Sequence, residues 1–162
     1  MTLFSTIVAG VTVFVLGQIL LKWVIEPIQQ LREVISEIIY HFANDYSIIQ
    51  NAHITDKEVA LSVCKELERL GAKLLSKQHL IPFYAKIHKF LRLPEENNLF
   101  KASKKLSLIS KSMFGKEPDI HYKLDIYRKQ VCEYLIIQDP IQDDTSIEEL
   151  KKQVAEIRNI NA

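Results

Sequence analysis

The chain has 162 residues and a net charge of +1, a total too small to point to any class of charged partner. Its four glycines leave little room for a phosphate-cradling loop, and no P-loop, Rossmann glycine pattern, G-x-S-x-G or kinase set is present. The two cysteines, Cys64 and Cys132, agree with a reducing compartment.

Residues Met1 to Leu21 carry no charged side chain, and TLFSTIVAGVTVFVLGQILL is almost wholly apolar. At about 1.5 Å per helical residue this stretch reaches the roughly 30 Å of a bilayer's hydrocarbon core. A basic leader and a small-residue cleavage site are both missing, so residues 1–25 are expected to be an uncleaved transmembrane anchor. Lys22 and Trp23 close it with an ammonium that can snorkel and an indole suited to the interface. No Lys or Arg precedes the span, whereas Lys22 and Arg32 follow it, which places the C-terminal side in the cytoplasm.

Within the span, Thr6, Gly10 and Gly17 fall near one helical stripe, with Ser5 and Ala9 beside it. Small residues there allow self-association or docking on another membrane helix; equally, Gly is simply common in such helices. Gln18 would bond across such an interface or reach interfacial water.

Pro27 removes a helical hydrogen bond and therefore marks a kink or the first turn of a new helix. A juxtamembrane amphipathic helix over 26–51 follows, with Leu31, Ile35, Ile38, Phe42 and Ile49 recurring at helical spacing and ending near Tyr46 to Asn51. The stripe of Leu31, Ile35, Ile38 and Phe42 is either a partner surface beside the bilayer or part of a core. Residues 52–162 are expected to form a helical domain packed with this helix. Thr55 and Glu58 fit a capping box, ahead of Val59, Val63, Leu67, Leu70 and Leu74 on one stripe. Gly71 inside that pattern suggests close helix packing.

Pro82 and Pro94 bracket the aromatic segment IPFYAKIHKFLRL, where a third helix over 83–92 is expected. The next helix carries Leu99, Ala102, Leu106, Ile109 and Met113 on one face and Gly115 as its C-cap. Another begins at Asp119, with Ile120, Leu124, Tyr127, Val131 and Leu135, and ends before Asp139-Pro140. Ser146 and Glu149 form a second capping box before the narrow seam of Ile147, Leu150, Val154 and Ile157, which packs on the bundle or zips with a partner. An all-α fold follows: an N-terminal transmembrane helix, then a bundle of about five or six helices.

Charge is segregated along the chain. Residues 73–116 hold ten basic and two acidic side chains, a net of +8, against −3 before them and −4 after. Lys86, Lys89, Arg92, Lys101, Lys104, Lys105, Lys111 and Lys116 lie in this block, interleaved with Phe83, Tyr84, Phe90 and Phe100. Beside an anchor, such a surface attracts an anionic leaflet. Nucleic acid is a weaker candidate, because no RRM, KH, zinc-finger or winged-helix motif accompanies the block. The plain alternative is a solvated lysine-rich face with the aromatics in the core.

Chemical signals are sparse. Glu33, Glu37 and His41 share a helix face at four-residue spacing, yet the repeated Glu-x-x-His pairs of a bundle di-metal centre are missing, so no metal or cofactor is expected. His53, His79, His88 and His121 lack metal-site spacing. Cys64 and Cys132 fall in helix interiors, where small buried hydrophobes are the usual occupants. No enzymatic activity is expected.

The stretch VFVLGQILLKWVIEPIQQLREVISEIIYHFANDY, with the later RLGAKLLSKQHLIPFY, resembles a largely uncharacterised family of small bacterial proteins having one N-terminal span and a helical cytoplasmic domain. The resemblance implies a single-pass protein of the bacterial inner membrane and supplies no catalytic residue. The expected function is a membrane-anchored scaffold or adaptor for protein partners or for further copies of itself. The alternative is a sensor or effector whose basic face over 73–116 binds anionic lipid, nucleotide or nucleic acid.

Overall fold

The computed structural model describes residues 2–141 and 145–160. Residues 1, 142–144 and 161–162, which the expected anchor and C-terminal domain include, lie outside the described residues. The expected all-α architecture is present: among the described residues every regular element is helical, with a long apolar N-terminal helix leading into a bundle.

Helix α1 (Thr2–Leu20) passes through a π-helical turn at Leu21–Ile25 into α2 (Glu26–Asn44), and the helix is continuous over Phe4–Asn44. The π turn answers the proline problem. In a regular helix the Pro27 ring would collide with the carbonyl four residues earlier. Here the preceding turn is widened, with the Glu26 amide donating to the Leu21 carbonyl five residues back, and Pro27 sits in the first turn of α2. Pro27 thus takes the first-turn position that was one of the two readings of the sequence.

After Asp45 interrupts the helix, a short α3 (Tyr46–Gln50) leads to α4 (Lys57–His79). The polar bridges give its direction. Lys77 donates to Gln30 at 3.1 Å, Lys73 to Glu37 at 3.2 Å, and His41 faces Glu66 at 3.7 Å, so α4 runs antiparallel to α2. After the short α5 (Tyr84–Ile87), α6 (Glu96–Ser112) turns back along α4. A Cβ on Gly71 would lie 3.3 Å from the Ser103 carbonyl oxygen, which is the close approach expected of that glycine. α7 (Ile120–Leu135) and α8 (Ile147–Ile160) complete the series, so that the long helices pack in the order α2, α4, α6, α7, α8.

The apolar stripes meet in one core. Leu31, Ile38, Phe42, Leu67, Leu70, Leu74, Leu99, Leu106, Ile109 and Val131 are fully enclosed. Each such side chain contributes about 1.5–3 kcal/mol relative to exposure. Leu31, Ile35, Ile38 and Phe42 therefore belong to the core and not to a partner surface. α8 packs against α7, burying Leu150, while Arg158 reaches Asp119 at 3.0 Å. Its capping box forms in both directions, from the Ser146 amide to the Glu149 carboxylate at 2.9 Å and from the Glu149 amide to the Ser146 hydroxyl at 3.2 Å.

Four local expectations are corrected. The cap of α4 is Asp56, whose carboxylate accepts from the Glu58 amide at 2.8 Å, while the Thr55 hydroxyl turns back to the Asn51 carbonyl. Val59 is exposed and Ala60 takes the inward position. α6 ends at Ser112, and Gly115 is not left-handed; it is small because the Ile120 side chain lies 3.0 Å from where its Cβ would be. Instead of a helix over 83–92 there is one turn, Tyr84–Ile87, bounded by left-handed residues at Phe83 (φ 54°) and Arg92 (φ 52°).

Candidate functional site

The end of the bundle from which α1 departs concentrates the features that a packed core does not explain. Every side chain from Phe4 to Trp23 is exposed, and none of the apolar window is covered by the rest of the protein. Twelve of these are large hydrophobics. At about 1.5–3 kcal/mol apiece, leaving them in water forfeits on the order of 15 kcal/mol or more, against a typical domain stability of about 5–15 kcal/mol. The protein thus has one helix, among the described residues, long and apolar enough to cross a membrane. Thr6, Gly10 and Gly17 lie on its bare surface, and a Cβ on either glycine would meet nothing within 4 Å.

Where this helix meets the bundle, Lys22, Trp23, Glu26, Pro27 and Gln30 form one wall of an open groove, and His79, Leu80 and Pro82 form the other. The second wall is in place because α4 ends here and its connection to α6 begins. Arg32 pins the far end of that connection by donating to the Leu91 carbonyl at 2.9 Å, and the Tyr84 hydroxyl donates to the Pro94 carbonyl at 2.6 Å. Burial raises the Tyr84 pKa, which keeps the phenol a donor.

The basic block is divided among α4, its connection to α6, α6 itself and the chain beyond it. Lys86, Lys89 and Arg92 are exposed on the α4–α6 connection. Lys101, exposed as well, and Lys105, half-buried, lie 5.7 Å from the Tyr134 ring and 4.7 Å from the Tyr127 ring of α7. Desolvation, with help from Lys104 and Lys151, lowers the Lys105 pKa. Lys104, Lys111 and Lys116 are exposed further along α6 and beyond it. Of the interleaved aromatics, Tyr84 is buried, whereas Phe83, Phe90 and Phe100 are exposed. Helical spacing places Phe100 outside the α6 stripe, but it could not separate Phe83, Tyr84 and Phe90, because inward and outward positions in a turn-rich segment follow no fixed period.

The polar groups considered for chemistry are engaged with one another. Glu37 faces Lys73 at 3.2 Å and Arg69 at 3.5 Å. His41 faces Asp45 at 2.6 Å, and Glu66 chelates Arg69. Glu33 is exposed, and among the described residues no three His, Cys, Asp or Glu side chains are placed to hold a metal ion. Cys132 is buried with its thiol pushed up to about 12, by desolvation first and then by Asp139, which leaves it protonated at neutral pH. Cys64 lies against Ser110, Sγ to Oγ 2.8 Å, and Ser110 in turn donates to Glu68 at 3.0 Å. Comparison of the chain with protein-family models, curated proteins and solved structures gives no match.

Proposed function

We propose that this protein is a single-pass, membrane-anchored scaffold or adaptor of the bacterial inner membrane, non-enzymatic, with its helical bundle in the cytoplasm. The observation that carries this reading is the unbroken helix over Phe4–Asn44. Its first half exposes an almost wholly apolar surface, and its second half supplies Leu31, Ile38 and Phe42 to the core. A bundle built on its own anchor is held at a fixed height above the bilayer, as suits a platform that presents side chains to neighbours in the same membrane. Lys22 and Arg32, on the C-terminal flank of the span, support a cytoplasmic bundle.

The test is alkaline extraction of membranes from cells making the full chain, together with protease protection of a C-terminal tag. The expected result is retention in the membrane pellet, with the tag digested only after the cytoplasmic face is opened. Recovery of the intact chain as a monomer without detergent would overturn the anchor. Crosslinking in native membranes then identifies the neighbours. The alternative, recognition of anionic lipid by the basic block, is favoured in its lipid form by the exposure of Lys86, Lys89 and Arg92 close to the groove at the helix exit.

A further inference from the structure

The connection between α4 and α6 is anchored to the protein on one side and carries exposed apolar and basic side chains on the other. Ile81, Tyr84 and Leu93 point inward and are 4%, 5% and 4% exposed, whereas Leu80, Phe83 and Phe90 are 55%, 77% and 88% exposed. The outward residues are therefore held out by a packed segment. Phe83 is presented from a left-handed backbone, φ 54°, a conformation costly to any residue with a Cβ. Strain that leaves an aromatic ring in solvent gains nothing for the core.

The position of the segment identifies what covers these side chains. Leu80 and Pro82 share the groove with Lys22 and Trp23, the residues at the end of the apolar helix. Leu91 is held by Arg32, ten residues or about 15 Å along the same helix. Residues 80–91 thus lie beside the first turns that leave the span, with the Phe83 turn between their two points of attachment. No acidic residue occurs from 80 to 94, and Lys86, Lys89 and Arg92 are exposed there. Aromatic tips with lysines among them are the composition of a segment that lies in a headgroup region.

We propose that this connection is a second membrane-contact site, in which Leu80, Phe83 and Phe90 seat in the interfacial layer of the leaflet that α1 leaves, with Lys86 and Lys89 on its anionic headgroups. The proposal rests on the anchor reading above and adds to it a fixed tilt: span and loop together hold the bundle at two points, so that it stands on the surface in one orientation.

The test uses the full chain, one copy per lipid nanodisc, with discs rich in phosphatidylglycerol compared with purely zwitterionic ones. In one protein Trp23 is the only tryptophan; in a second, Trp23→Phe is combined with Phe83→Trp; in a third, Trp23→Phe is combined with Phe90→Trp, a site whose backbone is not left-handed. Lipids brominated near the headgroup should quench the introduced indole in the anionic discs, and acrylamide quenching should fall several-fold. Adding Lys86→Gln and Lys89→Gln should lower the ratio of seated to free loop about fivefold per residue. An indole at both 83 and 90 that stays open to acrylamide while Trp23 is quenched by lipid overturns the loop contact and leaves the anchor standing. Loss of lipid quenching at Trp23 as well overturns both. Shielding that requires two copies per disc and ignores the bromines assigns the surface to protein and likewise overturns the proposal.

Discussion

Arg32 and Leu91 are 59 residues apart in sequence, and the Arg32 guanidinium donates to the Leu91 carbonyl at 2.9 Å. This bond fastens the end of the α4–α6 connection to the helix that carries the span. Arg32→Met keeps the aliphatic stem and removes the donor. Because Arg32 is exposed, the loss is about 1 kcal/mol. It falls on local opening, so amide exchange over residues 88–93 should accelerate roughly fivefold while that of α6 and α7 is unchanged. Unaltered exchange in the connection would show that the bond does not fasten it.

Gly71 is fixed by a neighbour that cannot move aside. A Cβ at this position would lie 3.3 Å from both the Ser103 hydroxyl and the Ser103 carbonyl oxygen; the first can rotate away and the second is backbone. Gly71→Ala gains about 1 kcal/mol of helix propensity and gives up a similar amount in displacing α6, so it should be close to neutral. Gly71→Val adds two methyl groups at the same contact and should cost about 1–3 kcal/mol. Urea unfolding in detergent micelles measures the difference, and equal stability of the two variants would mean that α4 and α6 do not pack this closely.

Most of the architecture was legible in the spacing of apolar residues. Leu99, Ala102, Leu106, Ile109 and Met113 are all buried, as a helix with one covered face requires. Legibility failed where tertiary contacts decide. Residues 83–92 have helical composition, yet the Tyr84 bond to Pro94 and the Arg32 bond to Leu91 hold them as turns. Thr55 and Asp56 are both competent caps, and only the chain's exit from the preceding turn selects Asp56. The two inward-leaning lysines of the basic block were not legible either. Tyr127 and Tyr134 draw Lys105 and Lys101 toward α7, a contact that local spacing does not encode.

Acid should weaken α4, and through it the contact with α2, by way of Glu66. The Arg69 hydrogen bond, followed by the charges of Arg69, His41 and Lys73, holds this carboxyl below its ordinary 4.5, so the folded protein binds that proton less readily than the unfolded chain. The resulting stability is fully present above pH 4.5 and is lost as pH falls through the depressed folded value. Glu66→Gln removes this contribution. The gap in urea midpoint between wild type and variant should therefore close below pH 4.5. A gap that persists at low pH would show that Glu66 acts through packing and not through its charge.

Arg128 is an exacting polar residue, because it is 3% exposed and bears a full charge. Its guanidinium bonds Asp125 at 3.2 Å and also Asp139, and lies 5.2 Å from the Tyr46 ring centre, joining α7 to α3 and to the chain beyond Ile136. Arg128→Met fills much of the volume but leaves two carboxylates beside a low-dielectric core without their cation. Breaking a buried pair from one side costs about 3–5 kcal/mol, a large part of the about 5–15 kcal/mol available to a domain. The variant should unfold at a much lower temperature in micelles, as followed by helical circular dichroism. Adding Asp125→Asn and Asp139→Asn removes the stranded charges and should restore more than half of the loss, because the penalty lies in the unpaired ions and not in the missing contact. If the triple variant is no more stable than Arg128→Met, the guanidinium acts mainly as a packing element against Tyr46.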